Sequence, residues 1–341
     1  MHVLIIGGTG LISTGITRQL LQRGDQVTLY NRGRTQSQVE GDYAVIQGDR
    51  KDFDAFERQM REAGPFDCVI DMVCFAPEEA QSAVRAFEGR TGHYVFCSTV
   101  DVYTKGGAPF PIREDAPRQP LPSFQYAFKK ARYEETLFEA HARGDLQVTS
   151  LRPAHTYGEG GGLIHSLGFG TYLFDRIRRN RPLIVHGDGR SLWAACHRDD
   201  VAVGFVNALL NENAYGKGYH LAADEWLTWD DYHRGIAEAM GVPCPELVHI
   251  PTDLLGRVMP ETAMWAVENF SFNNIFDNSA ARADLGFAQT TPWIEGIGRA
   301  VAWLEERGRI EDSDKHPFYD RVIEAWRQSA DGLAAALEDL D

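Results

Sequence analysis

The feature that most constrains the fold of this chain is a glycine-rich turn that directly follows its first apolar run. Residues 3–6 read Val-Leu-Ile-Ile, Gly7–Gly10 follow, and an amphipathic pattern with apolar side chains at Ile16, Leu20 and Leu21 comes next. A strand, a glycine turn and a helix in this order bring backbone N–H groups to the helix N-terminus, where they can bind a pyrophosphate. The start of the chain therefore predicts a dinucleotide-binding βα unit.

Short β-branched or aromatic runs alternate with longer amphipathic segments over the first 150 residues. Runs that are apolar on both faces predict parallel strands buried between two layers of helices. The predicted strands are Val3–Ile6, Val27–Tyr30, Tyr43–Ile46, Cys68–Met72, Tyr94–Cys97 and Val148–Leu151. We therefore expect an α/β fold with a doubly wound, Rossmann-type parallel sheet, whose ligands bind beyond the carboxyl ends of the strands.

The regular alternation ends in the second half of the chain, which predicts a second lobe. We expect a dinucleotide-binding Rossmann domain over residues 1–157, with about 187–212 returning to it. Residues 158–186 and 213–341 are expected to form a smaller, mixed α/β substrate-binding lobe with C-terminal helices. In that lobe, Tyr219–Leu221 has the pattern of an isolated strand.

Composition excludes several classes of protein. Hydrophobic residues make up 43% of the chain, and 49 acidic against 34 basic residues give a net charge of −15. This acidity disfavours a nucleic-acid-binding surface and attachment to an anionic membrane. The five cysteines have neither a CxxC pair nor metal-ligand spacing with histidine, so we expect no metal site and a reducing, cytoplasmic location. No run approaches the ~20 apolar residues of a membrane-spanning helix, and the first residues lack the pattern of a signal peptide.

The segment after the second predicted strand bears on the choice of coenzyme. An NAD-preferring site places a carboxylate there to accept hydrogen bonds from ribose hydroxyls, whereas Tyr30 is followed by Asn31, Arg32, Gly33 and Arg34. A guanidinium group suits a 2′-phosphate because it offers a planar set of donors and a permanent charge. We therefore favour NADP over NAD, with solvated loop arginines as the alternative.

A candidate catalytic pair lies in a predicted helix from about Phe124 to Arg143. Tyr126 and Lys130 are four residues apart, which places both side chains on one helix face. An ammonium group near a phenol, together with a nicotinamide cation, lowers the phenol pKa from ~10 toward neutrality. The tyrosine can then take a proton from a substrate hydroxyl as hydride leaves. Only six of the 34 cations are lysine, so a lysine in this register is informative.

The order of these motifs resembles that of the extended short-chain dehydrogenase/reductase superfamily, specifically its NAD(P)-dependent sugar and nucleotide-sugar epimerase/dehydratase family. The glycine turn is similar to the GxxGxxG motif of that family, with Ser13 in place of the third glycine. The resemblance covers most of the chain. The other matching segments are Gly48–Asp49, Thr99–Tyr103, Tyr126–Lys130, Leu151–Pro153, Tyr157–Gly158, His197–Val201 and Asp277–Phe287.

The resemblance implies a role for each matching residue. Tyr126 is expected to be the base, Lys130 to lower its pKa and bind ribose, and Thr99 to position the reacting oxygen. Ser98 takes the place of Thr99 if the register differs by one residue. The expected cofactor-binding residues are Gly7, Gly10, Leu11, Ile12, Asn31, Arg32, Arg34, Asp49 and Lys130.

Several positions depart from the family pattern and leave the substrate open. His155 replaces an asparagine, and Trp193 stands where an arginine usually clamps a substrate diphosphate, with Arg190 three positions earlier. We expect Ser98, His155, Arg190 and Trp193 to contact the substrate, with core packing of Trp193 as the alternative. Asp101 occupies the position of a dehydratase glutamate, and is either a second catalytic acid/base or a loop cap.

The sequence therefore predicts an NAD(P)-dependent sugar or nucleotide-sugar epimerase that acts by transient oxidation to a keto sugar. The alternatives are an NADP-dependent reductase or dehydratase acting on a non-nucleotide sugar or related carbonyl compound, and a catalytically silent nucleotide-binding or RNA-associated scaffold. The resemblance also implies a homodimer, formed through the Tyr126 helix and the helix at about Glu78–Phe87.

Overall fold

The structure is a computed structural model, and it describes residues 1–35, 37–107, 109–161 and 163–338. The strands are β1 His2–Ile6, β2 Gln26–Asn31, β3 Ala44–Gln47, β4 Phe66–Asp71, β5 Thr91–Cys97, β6 Val148–Pro153, β7 His155–Tyr157, β8 Ile164–His165, β9 Gly168–Phe169, β10 Leu183–His186, β11 Leu192–Trp193, β12 Ala195–His197, β13 Gly218–Leu221, β14 Leu227–Thr228 and β15 Leu247–Ile250. The α-helices are α1 Leu11–Arg23, α2 Phe53–Ala63, α3 Pro77–Phe87, α4 Gln125–Arg143, α5 Tyr172–Arg178, α6 Arg198–Ala208, α7 Trp229–Ala239, α8 Thr252–Val258, α9 Ser279–Leu285, α10 Trp293–Glu306 and α11 Phe318–Ala336. Shorter helical turns are Val100–Val102, Glu212–Ala214, Ala266–Phe270 and Ser313–Lys315.

The central sheet has seven parallel strands in the order β13-β6-β5-β4-β1-β2-β3. The side chains of Val3–Ile6 in β1 and Cys68–Ile70 in β4 are fully buried, because helices cover both faces of the sheet. The predicted α/β fold with a doubly wound parallel sheet is confirmed. The order of the strands reverses between β1 and β4, so the loops after these two strands border the crevice where ligands bind in such sheets.

The chain divides into two compact units. Unit 1 comprises Met1–Gly158, Ala194–Glu225 and Ile275–Pro292, and it contains the seven-stranded sheet. Unit 2 comprises Glu159–Trp193, Trp226–Asn274 and the chain from Trp293 onward. In unit 2, β10 pairs in parallel with β15, while β8 pairs with β9 and β11 with β14 in antiparallel fashion.

These units differ from the expected boundaries. Residues 213–225 and 275–292, which we expected in the second lobe, belong to unit 1, whereas 187–193 belong to unit 2. Tyr219–Leu221 is not an isolated strand, because β13 pairs in parallel with β6 and completes one edge of the sheet. The Tyr219 hydroxyl then donates to Asp284 Oδ2 in α9 at 2.7 Å. A pairing between segments this far apart in the sequence leaves no local periodic signal.

Close packing fixes the helix that follows the glycine turn. Helix α1 lies against α6, and a Cβ atom added at Gly15 would come within 3.1 Å of Ala202 Cβ. The helix ends at Arg23, and Gly24, which caps it, has a left-handed φ of 87°. Among the described residues, no helix is both long and apolar enough to cross a membrane.

Candidate active site

The glycine turn between β1 and α1 is closed by the residue that departs from the family pattern. Ser13 Oγ donates to the Gly7 carbonyl at 2.8 Å and accepts from the Gly10 N–H at 2.9 Å. Gly7 has a φ of 84°, and a Cβ atom there would lie 2.6 Å from Val73 Cγ1. Ser13 Oγ occupies the Gly10 amide, so the amides of the first turn of α1, which begins with Leu11 and Ile12, are the groups that can bind an anion at the helix N-terminus.

A cavity of about 430 Å³ opens beside this turn, within unit 1. Such a volume falls in the usual range of small-molecule sites. Of the predicted cofactor residues, Gly7, Gly10, Asn31, Arg32, Arg34 and Asp49 line it. Leu11 and Ile12 begin α1 beside it, and Lys130 lies deeper, at the catalytic group described below. A helix N-terminus, a glycine cradle and two exposed arginines on one cavity fit a dinucleotide.

Arg50 is a cavity residue that the sequence analysis missed. Its Nη2 donates to the Glu79 carbonyl at 2.6 Å and lies 3.4 Å from Asp71 Oδ2, and its guanidinium group stacks 4.1 Å from the Phe56 ring centroid. Its Nε and Nη1 atoms have no hydrogen-bond partner among the described residues. Arg50 therefore ties the loop after β3 to the start of α3. An arginine after a Gly-Asp pair carries no sequence signal of this role.

Tyr126, Lys130 and Thr99 come together at the carboxyl end of β5. The Lys130 ammonium is buried and donates to the Cys97 carbonyl at 2.6 Å, with Cys74 Sγ 3.6 Å away. Tyr126 is hydrogen-bonded to Thr99, and its phenol interacts electrostatically with Lys130. The structure thus groups the three residues that the resemblance selected.

Burial has the largest effect on the pKa of Tyr126. Burial raises the pKa of this phenol to about 12, although Lys130 and the Thr99 hydrogen bond act to lower it, and Asp101 adds to the increase. Lys130 by itself therefore does not bring the phenol near neutrality, because the cost of burying a phenolate exceeds the attraction of one ammonium group. In this state Tyr126 carries its proton and is a proton donor.

Thr99 rather than Ser98 reaches the reacting group. Ser98 is buried beside Glu134, on the side of β6. Thr99 Oγ1 accepts from the Asp101 N–H and donates to Asp101 Oδ2, both at 3.2 Å. Thr99 is thus the cap of the short helical turn Val100–Val102, and the Asp101 carboxylate is part of the site. Its other carboxylate oxygen accepts from Lys105 Nζ at 3.2 Å, and the sequence analysis assigned no role to that lysine.

The remaining predicted substrate residues are divided between the two units. His155 is in β7, and burial lowers its pKa to about 3. Arg190 and Trp193 belong to unit 2, where Arg190 is exposed. Trp193 is buried, with its ring centroid 5.1 Å from those of both Trp229 and Phe270. Substrate stacking by Trp193 does not fit this position, because neighbouring rings already cover it.

Two buried networks hold α4, the helix that carries Tyr126 and Lys130. The Asp71 carboxylate at the end of β4 accepts from the hydroxyls of Tyr94 at 2.6 Å and Tyr133 at 3.0 Å. Glu134 accepts two hydrogen bonds from Arg152 in β6, both at 2.9 Å. Burial acts to raise the pKa of Glu134, but the Arg152 guanidinium outweighs it and lowers the pKa to about 2. These contacts fix α4 against β4 and β6, one helical turn after Lys130.

A family model described as the NAD dependent epimerase/dehydratase family matches residues 3–89 and 78–222, which together are more than half of the chain. The chain belongs to this family. The predicted membership of the extended short-chain dehydrogenase/reductase type is thereby confirmed, and the chain is an enzyme of that type. The family is NAD-dependent and includes epimerases, dehydratases and reductases.

Two curated relatives differ in how much of the chain they match. The chloroplast stem-loop binding protein of 41 kDa b from Arabidopsis thaliana is 30% identical over 263 residues, which are 72% of this chain and 65% of that protein. The chain thus spans less than two thirds of the length of this relative. The 2′-dehydrokanamycin reductase of Streptomyces kanamyceticus is 25% identical over 316 residues, covering 92% of this chain and 87% of the reductase.

Solved structures share the fold at low identity. The UDP-glucose 4-epimerase of Thermotoga maritima, solved with UDP-glucose, has a TM-score of 0.71 and 19% identity, covering 90% of this chain and 99% of that one. The UDP-glucuronic acid 4-epimerase of Bacillus cereus, solved with NAD, has a TM-score of 0.69 and 17% identity, covering 90% and 99%.

Proposed function

We propose that this enzyme is an NADP-dependent oxidoreductase that interconverts a ketone and a secondary alcohol on a sugar that carries no nucleotide diphosphate. The observation that carries the proposal is the grouping of Tyr126, Lys130 and Thr99 at the end of β5. When bound, the coenzyme supplies or takes the hydride.

The side chains of the enzyme manage the proton and the orientation of the substrate. Tyr126 donates a proton to the carbonyl oxygen during reduction and accepts one during oxidation. Thr99 holds the same oxygen in place by hydrogen bonding. Lys130 stabilises the phenolate that forms, and its bond to the Cys97 carbonyl keeps its ammonium in position. Burial raises the pKa of Tyr126, which favours its protonated form and suits proton donation to a ketone.

The preference for NADP rests on the residues after β2. Arg32 and Arg34 line the cavity beside Asn31, and the segment contains no carboxylate that would oppose a 2′-phosphate. Asn31 Oδ1 accepts from the Gly33 N–H at 2.8 Å, which shapes the loop that bears both arginines. Paired guanidinium groups at this point favour a coenzyme that carries one more phosphate.

The absence of a nucleotide from the proposed substrate rests on unit 2. The position of the family diphosphate clamp holds the buried Trp193, and Arg190 is exposed in the turn after β10. A buried diphosphate without a guanidinium partner would be costly. The match to the 2′-dehydrokanamycin reductase, which covers most of both chains, agrees with a reductase activity.

Epimerisation by transient oxidation is the second candidate. It is favoured by Asp101, a buried carboxylate bonded to Thr99 that could remove the acidic hydrogen next to a keto group. The two candidates differ in coenzyme balance, because an epimerase returns its hydride to the same substrate whereas a reductase consumes NADPH.

A stem-loop binding role, of the kind named for the Arabidopsis relative, is the alternative from another class. The net charge of −15 opposes RNA binding. RNA retention that falls with rising salt, in a protein without turnover, would favour this alternative. A cytoplasmic location and a homodimer through α3 and α4 stay predictions.

The test is reduction of a panel of methyl hexopyranosid-2-, -3- and -4-uloses, followed by the loss of NADPH absorbance. We expect the wild-type enzyme to consume NADPH with at least one of them. Tyr126→Phe should lower turnover by about 10³-fold or more while NADPH still binds, because it removes only the proton donor. Full activity in this variant, or no turnover of any ketone, would refute the proposal. Product formation without NADPH loss would identify the epimerase.

A further inference from the structure

Lys105 lies at the active site, although the proposed reaction does not use it. Its ammonium nitrogen donates to Asp101 Oδ1 at 3.2 Å, and its side chain is 8% exposed. Burial lowers the pKa of Lys105, while the Asp101 carboxylate opposes this shift. Because a small part of its side chain is exposed, Lys105 lies between water and the interior, where an ammonium group can release a proton inward and recover one from water.

The contacts of Lys105 continue inward to the reacting group. Asp101 Oδ2 accepts from Thr99 Oγ1 at 3.2 Å, and Thr99 is hydrogen-bonded to Tyr126. A threonine hydroxyl can donate one hydrogen bond and accept others at the same time. The side chains of Lys105, Asp101, Thr99 and Tyr126 therefore form a continuous chain of hydrogen bonds within unit 1.

We propose that this chain is a proton relay, in which Lys105 resupplies the proton that Tyr126 gives to the substrate oxygen. The relay rests on the proposed function, since it requires Tyr126 to act as the acid. One N–H bond breaks at Lys105 and one O–H bond forms at Tyr126. The Asp101 carboxyl accepts the proton from Lys105, turns about its Cβ–Cγ bond and passes it to Thr99, whose own hydroxyl proton goes to Tyr126. Lys105 becomes a neutral amine and regains its proton from water.

Lys130 is less suited to this task, although it is closer in sequence to Tyr126. Its ammonium donates to the Cys97 carbonyl at 2.6 Å, and a carbonyl oxygen has no proton to pass on. The Lys130 residue is also only 2% exposed. The two lysines thus have separate tasks. Lys130 stabilises the phenolate form of Tyr126, and Lys105 returns a proton to it.

The test uses the full-length enzyme, NADPH and the methyl hexopyranosidulose that it reduces fastest. Lys105→Ala removes the outer donor, and we expect kcat to fall about 100-fold with little change in the KM for the ketone. Methylammonium can enter the space left by the side chain, so kcat should recover in proportion to its concentration. Lys105→Arg should also be slow, because arginine keeps its proton. This variant separates a relay from a purely electrostatic role.

Further variants guard against misfolding and nonspecific effects. Asp101→Asn combined with Lys105→Met leaves no unpaired buried charge, and its kcat should be equally low and insensitive to methylammonium. Lys315→Ala, an exposed lysine of unit 2, should behave as wild type with and without the amine.

Wild-type turnover in Lys105→Ala would overturn the relay, as would a slow Lys105→Ala enzyme that ignores methylammonium. If Tyr126→Phe is inactive in the same assay, the proposed function survives that result. If Tyr126→Phe is fully active, or no ketone is reduced, the proposed function and the relay fall together.

Discussion

The two compact units of this enzyme use different side chains to hold themselves together. Five of the six lysines lie in unit 1, whereas all seven tryptophans lie in unit 2. Unit 1 buries charged groups that are paired, such as Glu134 with Arg152. Unit 2 buries Trp193, Trp229 and Trp293, which pack against one another or against nearby aromatic rings.

The contrast between buried charged pairs in unit 1 and buried tryptophans in unit 2 follows from what each unit binds. A unit that binds a charged coenzyme and moves protons needs charges at fixed positions, and buried pairs provide them at the cost of desolvation. Aromatic packing stabilises through area and shape, and it makes no demand on charge. The contrast also helps experiments, since tryptophan fluorescence reports on unit 2 alone while far-UV circular dichroism reports on both units.

Acid should have the largest effect, and it tests a property that the units share. Burial lowers the pKa of His93, His186 and His233 to about 4, and that of His165 and His220 to about 3. These imidazoles are neutral in the folded state, so their contribution to stability is complete above the unfolded pKa of 6.5 and is lost as pH falls toward their folded pKa values. At pH 5 the five together should cost on the order of 10 kcal/mol.

We therefore expect both units to unfold between pH 6 and 5, followed by tryptophan fluorescence and circular dichroism in parallel. Two of the histidines lie in unit 1 and three in unit 2. A complete fluorescence change with only a partial loss of circular dichroism would show that unit 2 alone is acid-sensitive. A protein that keeps both signals at pH 4.5 would contradict the lowered pKa values.

Breaking an ion pair should lower the free energy of unfolding more in unit 1 than in unit 2. Glu134→Gln leaves the buried Arg152 without a counter-charge, and we expect the free energy of unfolding to fall by about 3–5 kcal/mol. The comparison in unit 2 is Glu246→Gln, which removes the partner of Arg327 in a pair whose two side chains are both about half exposed, and it should cost about 1 kcal/mol or less. Urea unfolding measures both, and equal losses would show that unit 1 does not depend more on charge.

The smallest expected effect is on coenzyme binding, and it comes from charges of unit 1 that are exposed rather than buried. Arg32→Ala and Arg34→Ala should each weaken NADPH binding by about 10-fold, because each removes one guanidinium from the 2′-phosphate, while NADH binding stays the same. Arg143→Ala, which breaks an exposed pair with Asp145, is the control. Titration calorimetry compares the two coenzymes, and an equal loss for both would place these arginines away from the 2′ position.

Sequence patterns predicted unit 1 well where a motif is local. The glycine turn, the alternating strands and the Tyr126–Lys130 spacing each need only a few neighbouring residues, and the structure brings Thr99 to them in the expected register. The residues that the sequence patterns did not predict lie in irregular loops. Arg50 and Lys105 follow a strand and a short helical turn, and their roles depend on loop paths that no periodicity encodes.

The pKa of Tyr126 shows a second limit. The sequence places a lysine one helical turn away, but it does not show how deeply the phenol is buried, and burial outweighs the lysine. Unit 2 shows a third limit, because Trp193 could equally have been a surface for substrate or a core residue until its aromatic neighbours were known.

Strand β13 has a consequence for how the enzyme is made. The edge of β6 pairs with β13, which is formed by residues 218–221. Helix α9, residues 279–285, then packs against β13. During synthesis, the ribosome must therefore translate most of the chain before the coenzyme-binding sheet can close. Until then β6 presents unpaired N–H and C=O groups to other chains. A fragment cut after Gly158 would keep the glycine turn, Tyr126 and Lys130, yet it would aggregate through that open edge.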